Sequence, residues 1–344
     1  MELNTIVLEF IGTDHYDLTP ITDGLINTTY LLEDRDHGKK FILQKINTHV
    51  FRQPEVIVKN HLMINEILQS NNYQFQIIEP VLSLTNKFLV KDANGDSWRM
   101  LSFIENSTTF LTAPSLQTAF EAAKAFSYFL NTVNTEQLPA IEDSLPNFLN
   151  FEKRVSDYKN ALENAIPSLK EKAKTEIEIT NQLLSLPDQW IEMERNNQIP
   201  KRIIHADVKI SNILFDQHHK PLAVIDLDTM MISTVLYDFG TMIQSYTNTT
   251  LEDDGSAKNN FNPEMYKVVK EGFLFHLKEK LTPLEISSLD YAAQVAIYIQ
   301  EIRFLTDYLN GSTYYSTQYP EHNLDRTKNQ LELLKGLREF LESE

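Results

Sequence analysis

The chain has 344 residues, 42% of them hydrophobic, so a sizeable core is available and the length suggests two domains or one bilobed unit. Acidic residues outnumber basic ones 48 to 31, and the formal net charge of −17 argues against nucleic acid or an anionic membrane as a partner. Cysteine is absent, which excludes a disulfide framework or a thiolate metal site, and no stretch approaches the roughly 18 apolar residues of a membrane span. The start MELNTIVLEF lacks the basic, then apolar pattern of a signal peptide, so a soluble, cytoplasmic protein is expected.

Residues 1–20 are weakly patterned, with one short helix expected. Thr28–Glu33 and Phe41–Ile46 then read as strands, rich in Thr, Tyr, Ile and Leu and joined by the polar turn Asp34–Gly38. A further turn, Asp23-Gly24, precedes this hairpin. In its second strand, period-two alternation puts Gln44 and Lys45 on opposite faces. Ile42 and Ile46 share the face of Gln44 and Leu43 that of Lys45, so the pattern leaves open which of the two looks into a cleft. Pro54 opens a helix to about Ser70, with Val56, Val58, Met63, Ile64, Ile67 and Leu68 as its apolar stripe and Glu66 as a candidate partner for a phosphate-binding lysine. A second hairpin, Lys87–Lys91 and Trp98–Glu105, is turned by Asn94-Gly95-Asp96 and runs out through Ser102-Phe103-Ile104.

From Ser115 the pattern turns helical, with Leu116, Ala119, Phe120, Ala123, Phe126, Leu130 and Val133 at helical spacing. This divides a β-rich region, 1–107, from a helical one, 108–344. Helices are expected over 147–165, 168–196, 263–280, 283–309 and 325–343, and the acidic, polar stretch 251–262 reads as a mobile loop. No internal repeat interrupts this order. A β-rich front and a helical back give an α+β, bilobal architecture.

The helical region is interrupted by RIIHADVKISNILFDQHHKPLAVIDLDT, Arg202 to Thr229. Asn212 follows Asp207 by five residues and Asp226 follows Asn212 by fourteen, which is close to the spacing of the catalytic-loop Asp, the following Asn and the metal-binding Asp of protein kinases. Each residue type suits its part. Asp207 can take a proton from an attacking hydroxyl, Asn212 offers a neutral oxygen to a metal, and Asp226 adds the charge that holds Mg²⁺ against phosphate. Lys209 is within reach of a transferring phosphoryl group. Further on, Asp238 stands near a helix start, where it either caps that helix or also braces the catalytic loop.

The motifs HADVKISNILFD and VIDLDT resemble the signature of the aminoglycoside phosphotransferase and choline kinase superfamily. GLINTTYLL, FILQKIN, WRMLSFIE, IDLDTMMISTVLYDFG, RFLTDYL and QYPEHNLDRT extend that likeness toward the N-acetylhexosamine 1-kinases and span about residues 23 to 327. The resemblance implies a protein-kinase-like fold, with a small antiparallel sheet in the N-lobe and a mostly helical C-lobe. It implies ATP and Mg²⁺ as cofactors and transfer of the γ-phosphate to the anomeric hydroxyl of N-acetylglucosamine or N-acetylgalactosamine. Asp207 then matches the base, with Lys209 beside it, and His205 and Asp238 support the loop. Asn212 and Asp226 match the metal ligands, joined by Asp228 from the same strand face. Gly24, Asn27 and Thr28 correspond to the phosphate loop, Gln44 to the position where a lysine usually stands, and Ser102-Phe103-Ile104 to the hinge that meets adenine. Arg303 and Tyr314 are matched to the sugar site; for Arg303 the competing reading is an ion pair with Asp307, four residues on. Ala206 stands where many members of the superfamily have glycine, with little consequence expected.

Two rival functions remain at this stage. One is a kinase of another acceptor, an aminoglycoside, choline or another sugar, for which Tyr237, Tyr308, Tyr314 and Tyr315 are candidate contacts. The other is an inactive nucleotide-binding protein, against which the presence of Asp207, Asn212 and Asp226 speaks. Oligomeric state is not legible in the sequence.

Overall fold

In the computed structural model, which describes residues 2–22 and 26–344, the helix Glu2–Ile11 (α1) is followed by the strand Tyr16–Ile21 (β1). The sequence reading did not separate this strand from its weakly patterned surroundings. Pro20 explains why: proline within a strand is tolerated at a sheet edge, and β1 is the edge. The strands Thr28–Asp34 (β2) and Lys39–Lys45 (β3), the helix Pro54–Ser70 (α2), and the strands Pro80–Val81 (β4), Val90–Lys91 (β5) and Ser97–Ser102 (β6) follow. They form an antiparallel sheet in the order β1-β2-β3-β6-β4, with β5 also on β6. Leu32, Leu43, Trp98 and Met100 share one face of it and bury Ile6, Val7 and Phe10 of α1. The turn of the second hairpin is held by Asp92, whose carboxylate accepts from the amides of Asn94 and Asp96 and from the Trp98 indole.

Beyond the sheet come the helices Leu116–Val133 (α3) and Phe151–Asn164 (α4), and then a break from expectation. The single helix read over 168–196 is three, Pro167–Lys172 (α5), Lys174–Gln182 (α6) and Asp188–Arg195 (α7). Pro187, at the N-cap of α7, has no N–H to continue a helix from the preceding turn. The short strands Arg202–Ile204 (β7), Ile213–Phe215 (β8) and Pro221–Val224 (β9) flank the motif, followed by the helix Val235–Thr247 (α8). The last helices are Pro263–Leu277 (α9), Pro283–Ser287 (α10), Leu289–Leu309 (α11) and His322–Ser343 (α12). The helix expected over 283–309 divides at Ser288, after a capping box in which Thr282 and Glu285 each accept from the other's amide. Among the described residues no helix is long and apolar enough to cross a membrane.

The chain forms two compact units, each drawn from three segments rather than split once after residue 107. The first holds the described residues up to Thr109 together with Phe129–Pro146 and Ser211–Ile232; the second holds Phe110–Tyr128, Asn147–Ile210 and Ser233–Glu344. Backbone bonding explains why 211–232 joins the sheet-bearing unit, since Thr108 and Phe215 exchange N–H···O bonds of 2.9 and 2.8 Å. In the second unit, α11 is buried along most of its length against α4, α8 and α12. Gly240 of α8 permits one of these approaches, because a Cβ there would lie 2.6 Å from the Ala292 carbonyl oxygen and from Cβ of Ala296. The segment 251–262, expected to be mobile, is tied down from α12: Asn329 Nδ2 donates to Thr250 Oγ1 and to the carbonyls of Leu251 and Asp254.

Candidate functional site

In the second unit, β7 delivers the chain to His205-Ala206-Asp207. The amides of His205 and Ala206 donate to the two carboxylate oxygens of Asp238, each at 2.8 Å. Asp238 sits in the first turn of α8, but the N-cap is Thr234, so bracing the loop is its part. The His205 ring is buried edge-on to Phe126, and its Nδ1 accepts from the Asp207 amide at 3.3 Å. Asp207 itself lies 3.1 Å from Lys209 Nζ. Burial pushes the Asp238 carboxyl up to about 7, against the pull of its two N–H donors, and the Asp207 charge adds to the rise.

Ala206 takes a left-handed backbone, φ +62°, which makes its departure from glycine consequential. An L-residue pays about 1–2 kcal/mol there, while glycine loses only part of that in extra unfolded-state freedom. Ala206→Gly is therefore expected to stabilise the protein by about 0.5–1 kcal/mol in chemical denaturation. A variant no more stable than the parent would mean that the loop carries no such strain.

The remaining motif residues belong to the first unit. Ile213 pairs with Val224 across the β8–β9 hairpin, and the Ile225 amide donates to the Asn212 carbonyl at 3.0 Å, one residue before Asp226. Asn212 is buried, whereas Asp226 is exposed in a left-handed conformation. The strand has ended by then, and Leu227–Thr229 forms a 3₁₀ turn, so Asp228 does not share a strand face with Asp226. The Asp228 carboxylate is buried, with Arg99 Nη1 and Nη2 each at 2.7 Å and Asn27 Nδ2 at 3.0 Å, and its carbonyl accepts from Ser144 Oγ. Oδ2 takes both hydrogen bonds, from Arg99 and Asn27, while Oδ1 is buried beside Arg99 Nη1 as an ion pair with no hydrogen bond, so Asp228 braces the turn through Oδ2. Asn212 and Asp226 offer an amide oxygen and a carboxylate. Oxygen donors of these types suit a hard cation such as Mg²⁺; among the described residues no group of three or more His, Asp or Glu converges as a metal site.

Arg99 is the residue that sequence reasoning missed. It stands opposite Gln44 in the β3–β6 register, and Gln44 Oε1 accepts from its Nε at 2.9 Å and Nη2 at 2.7 Å. Gln44 thus lies on the face of Arg99 and Asp228, while Lys45 turns to the other face and pairs with Asp96 at 3.0 Å. Glu66 is exposed, so α2 sends no carboxylate to this face; it contributes His61, which burial and the Arg99 charge depress to about 4. The available signal was an arginine in the otherwise apolar run Trp98–Leu101. Gly24 lies outside the described residues. Asn27 accepts from the Asn47 amide, and Thr28 opens β2 opposite Lys45. In the segment expected to form the hinge, Ser102 exchanges hydrogen bonds with Glu79, Lys40 lies over the Phe103 ring, and the Ile104 carbonyl accepts from Ser107.

The second unit also contains a cavity of about 360 Å³ lined by Arg154, Asp157, Asn160, Arg303, Tyr314 and Tyr315, among others. The Arg303 guanidinium lies over Phe148 and Tyr315 and donates to Gln300 at 3.1 Å. The competing ion pair with Asp307 is not formed, because Asp307 accepts from the amides of Thr313, Tyr314 and Tyr315 and from Asn323. Arg154 Nε and Tyr315 Oη are buried with no hydrogen-bond partner. Tyr237 packs instead on Phe148 and Phe151, and Tyr308 is buried in α11, so the four late tyrosines do not form one cage. Burial raises the Tyr237 phenol well above its usual range, with the Arg303 charge opposing the rise and that of Asp207 adding to it.

Several solved structures share the fold at low identity. A microcompartment-associated aminopropanol kinase matches with a TM-score of 0.68 at 15% identity, covering 99% of this chain and 97% of its own. An aminoglycoside phosphotransferase from Alicyclobacillus acidocaldarius matches with a TM-score of 0.62 at 13% identity, covering 98% and 96%. The choline kinase LicA from Streptococcus pneumoniae matches with a TM-score of 0.58 at 15% identity, covering 98% and 99%. Identities this low speak for the fold alone. The family model described as the phosphotransferase enzyme family matches residues 17–262, most of the chain and every motif residue from Asn27 to Asp238, and the chain belongs to that family.

Proposed function

We propose that this phosphotransferase uses Mg²⁺ and ATP to phosphorylate the anomeric hydroxyl of an N-acetylhexosamine, as a cytoplasmic enzyme. Asp207 accepts the hydroxyl proton, and Lys209 neutralises the transferring phosphoryl group. Asn212 and Asp226 hold the metal. Gly24, Asn27 and Thr28 cover the phosphates, the Ser102–Ile104 hinge meets adenine, and Arg303 and Tyr314 hold the sugar. The observation that carries the acceptor class is the cavity with two guanidiniums and two buried, unpartnered donors, Arg154 Nε and Tyr315 Oη. Unpaired buried donors favour a ligand rich in acceptor oxygens, such as hydroxyls and an acetamido carbonyl. The Asp157 and Asp307 carboxylates that also line the cavity balance these two cations, so the acceptor class rests on the unpaired donors and not on net charge.

An ADP-release assay over N-acetylglucosamine, N-acetylgalactosamine, choline, aminopropanol and an aminoglycoside tests this reading. The N-acetylhexosamines are expected to exceed every cationic acceptor by about 100-fold or more in kcat/KM, the scale of a few lost hydrogen bonds in a polar site. Preference for a cationic acceptor would overturn it. Arg303→Ala is expected to raise the sugar KM by about tenfold, the loss of a charge-assisted hydrogen bond, with the ATP KM within about twofold. Normal sugar kinetics with a lower Tm would instead make Arg303 structural.

A further inference from the structure

We infer that Arg99 is a positioning residue that couples nucleotide binding to metal binding, with one buried guanidinium joining the segments that carry each. The inference rests on Asn212 and Asp226 as the metal-holding pair. Arg99 and Asp228 are each only 2% exposed. A buried ion pair is weak evidence for stability, because desolvation offsets its attraction; what it fixes is geometry. Here it fixes three pieces of chain at once. Through Asp228 it anchors the 3₁₀ turn that begins directly after Asp226. Through the same carboxylate it holds Asn27, whose Oδ1 in turn accepts from the Asn47 amide, pinning the entry to β2. Through Gln44 it holds β3, and Gln44 reaches Thr29 of β2. The planar fork serves Gln44 Oε1 through Nε and Nη2 and Asp228 Oδ2 through Nη2, with Nη1 beside Oδ1 as an ion pair, a fixed geometry that a point-charge ammonium does not reproduce. A neutral glutamine at 44 follows from the same arrangement, since a lysine there would set a second cation against the guanidinium.

Calorimetric binding of ATP with and without Mg²⁺, thermal melting and steady-state kinetics on Arg99→Met and Arg99→Lys test this. Arg99→Met is expected to weaken Mg·ATP binding by about tenfold and to raise the Mg²⁺ concentration for half-maximal binding, while metal-free ATP binding changes less. The acceptor KM stays within about twofold. Arg99→Lys keeps the charge but not the fork, and is expected to recover only part of the loss; should Arg99→Met fail to fold, this variant carries the test alone. A folded variant with a lower Tm but parental Mg·ATP affinity and Mg²⁺ dependence, measured well below its Tm, would overturn the inference. Asp226→Asn in the same titrations separates the two readings: retained Mg²⁺ enhancement of ATP binding there would refute the metal assignment, whatever Arg99 does.

Discussion

Asp207→Asn is expected to lower kcat by about a hundredfold or more, the range that a positioned general base contributes, while Tm and Mg·ATP affinity stay near the parental values. Asparagine keeps the shape of the side chain, and the brace from Asp238 acts on the amides of His205 and Ala206, so the loop should persist. What is lost is the acceptor for the substrate hydroxyl proton and the anion beside Lys209. Phosphoryl transfer proceeds through a loose transition state, so the residual rate should report positioning alone, and the acceptor KM should rise far less than kcat falls. Single-turnover kinetics with turnover above about a tenth of the parental rate would show that Asp207 is not the base.

Asp238→Ala is the substitution with the largest expected effect on the fold. It leaves two buried N–H groups unsatisfied, at about 1–3 kcal/mol each, and should destabilise the protein by about 2–6 kcal/mol in denaturant unfolding. Asp238→Asn returns one acceptor oxygen but turns an NH₂ toward the second amide, so an intermediate loss is expected. The parent also carries a pH signature here. The folded-state pKa of about 7 lies above the ordinary 3.8, so the protonated carboxyl is the form folding favours. That contribution to stability is full below pH 4 or so and is lost as pH rises through about 7. Activity should run the opposite way, because only the ionised carboxylate accepts from both amides; kcat should therefore rise through pH 7. A parental pH profile identical to that of Asp238→Asn would remove Asp238 as the titrating group.

What the sequence disclosed followed chain locality. Asp207, Asn212 and Asp226 stand within twenty residues, and their spacing survives because a short loop and one hairpin carry it. The alternation of Gln44 and Lys45 correctly put them on opposite faces, but choosing between the faces needed β6, since the partner of Gln44 lies 55 residues away. Arg99 was illegible for the same reason: its carboxylate partner is 129 residues distant. Asp228 was assigned by extending period two beyond the end of β9, into a turn where alternation no longer holds. For Arg303 and Asp307, helical spacing allowed a pair, but three backbone amides of the following loop took the carboxylate. Backbone donors have no letter in the sequence. The same blindness made 251–262 look loose, because its anchors are carbonyls gripped by one asparagine.

The grip of Asp307 separates two things that loops usually confound. It holds Thr313, Tyr314 and Tyr315 by their amides, so the path of this cavity wall does not rest on the exposed side chains of Thr313 and Tyr314, whereas the Tyr315 ring also packs on Phe304 and under Arg303. Tyr314, 69% exposed, contributes nothing to that anchorage beyond an N–H that every residue except proline supplies. Replacement at Thr313 or Tyr314 changes the chemistry that lines the cavity at little cost in architecture. A descendant of this chain can thus change what the cavity presents by exchanging letters in a wall whose frame is already in place.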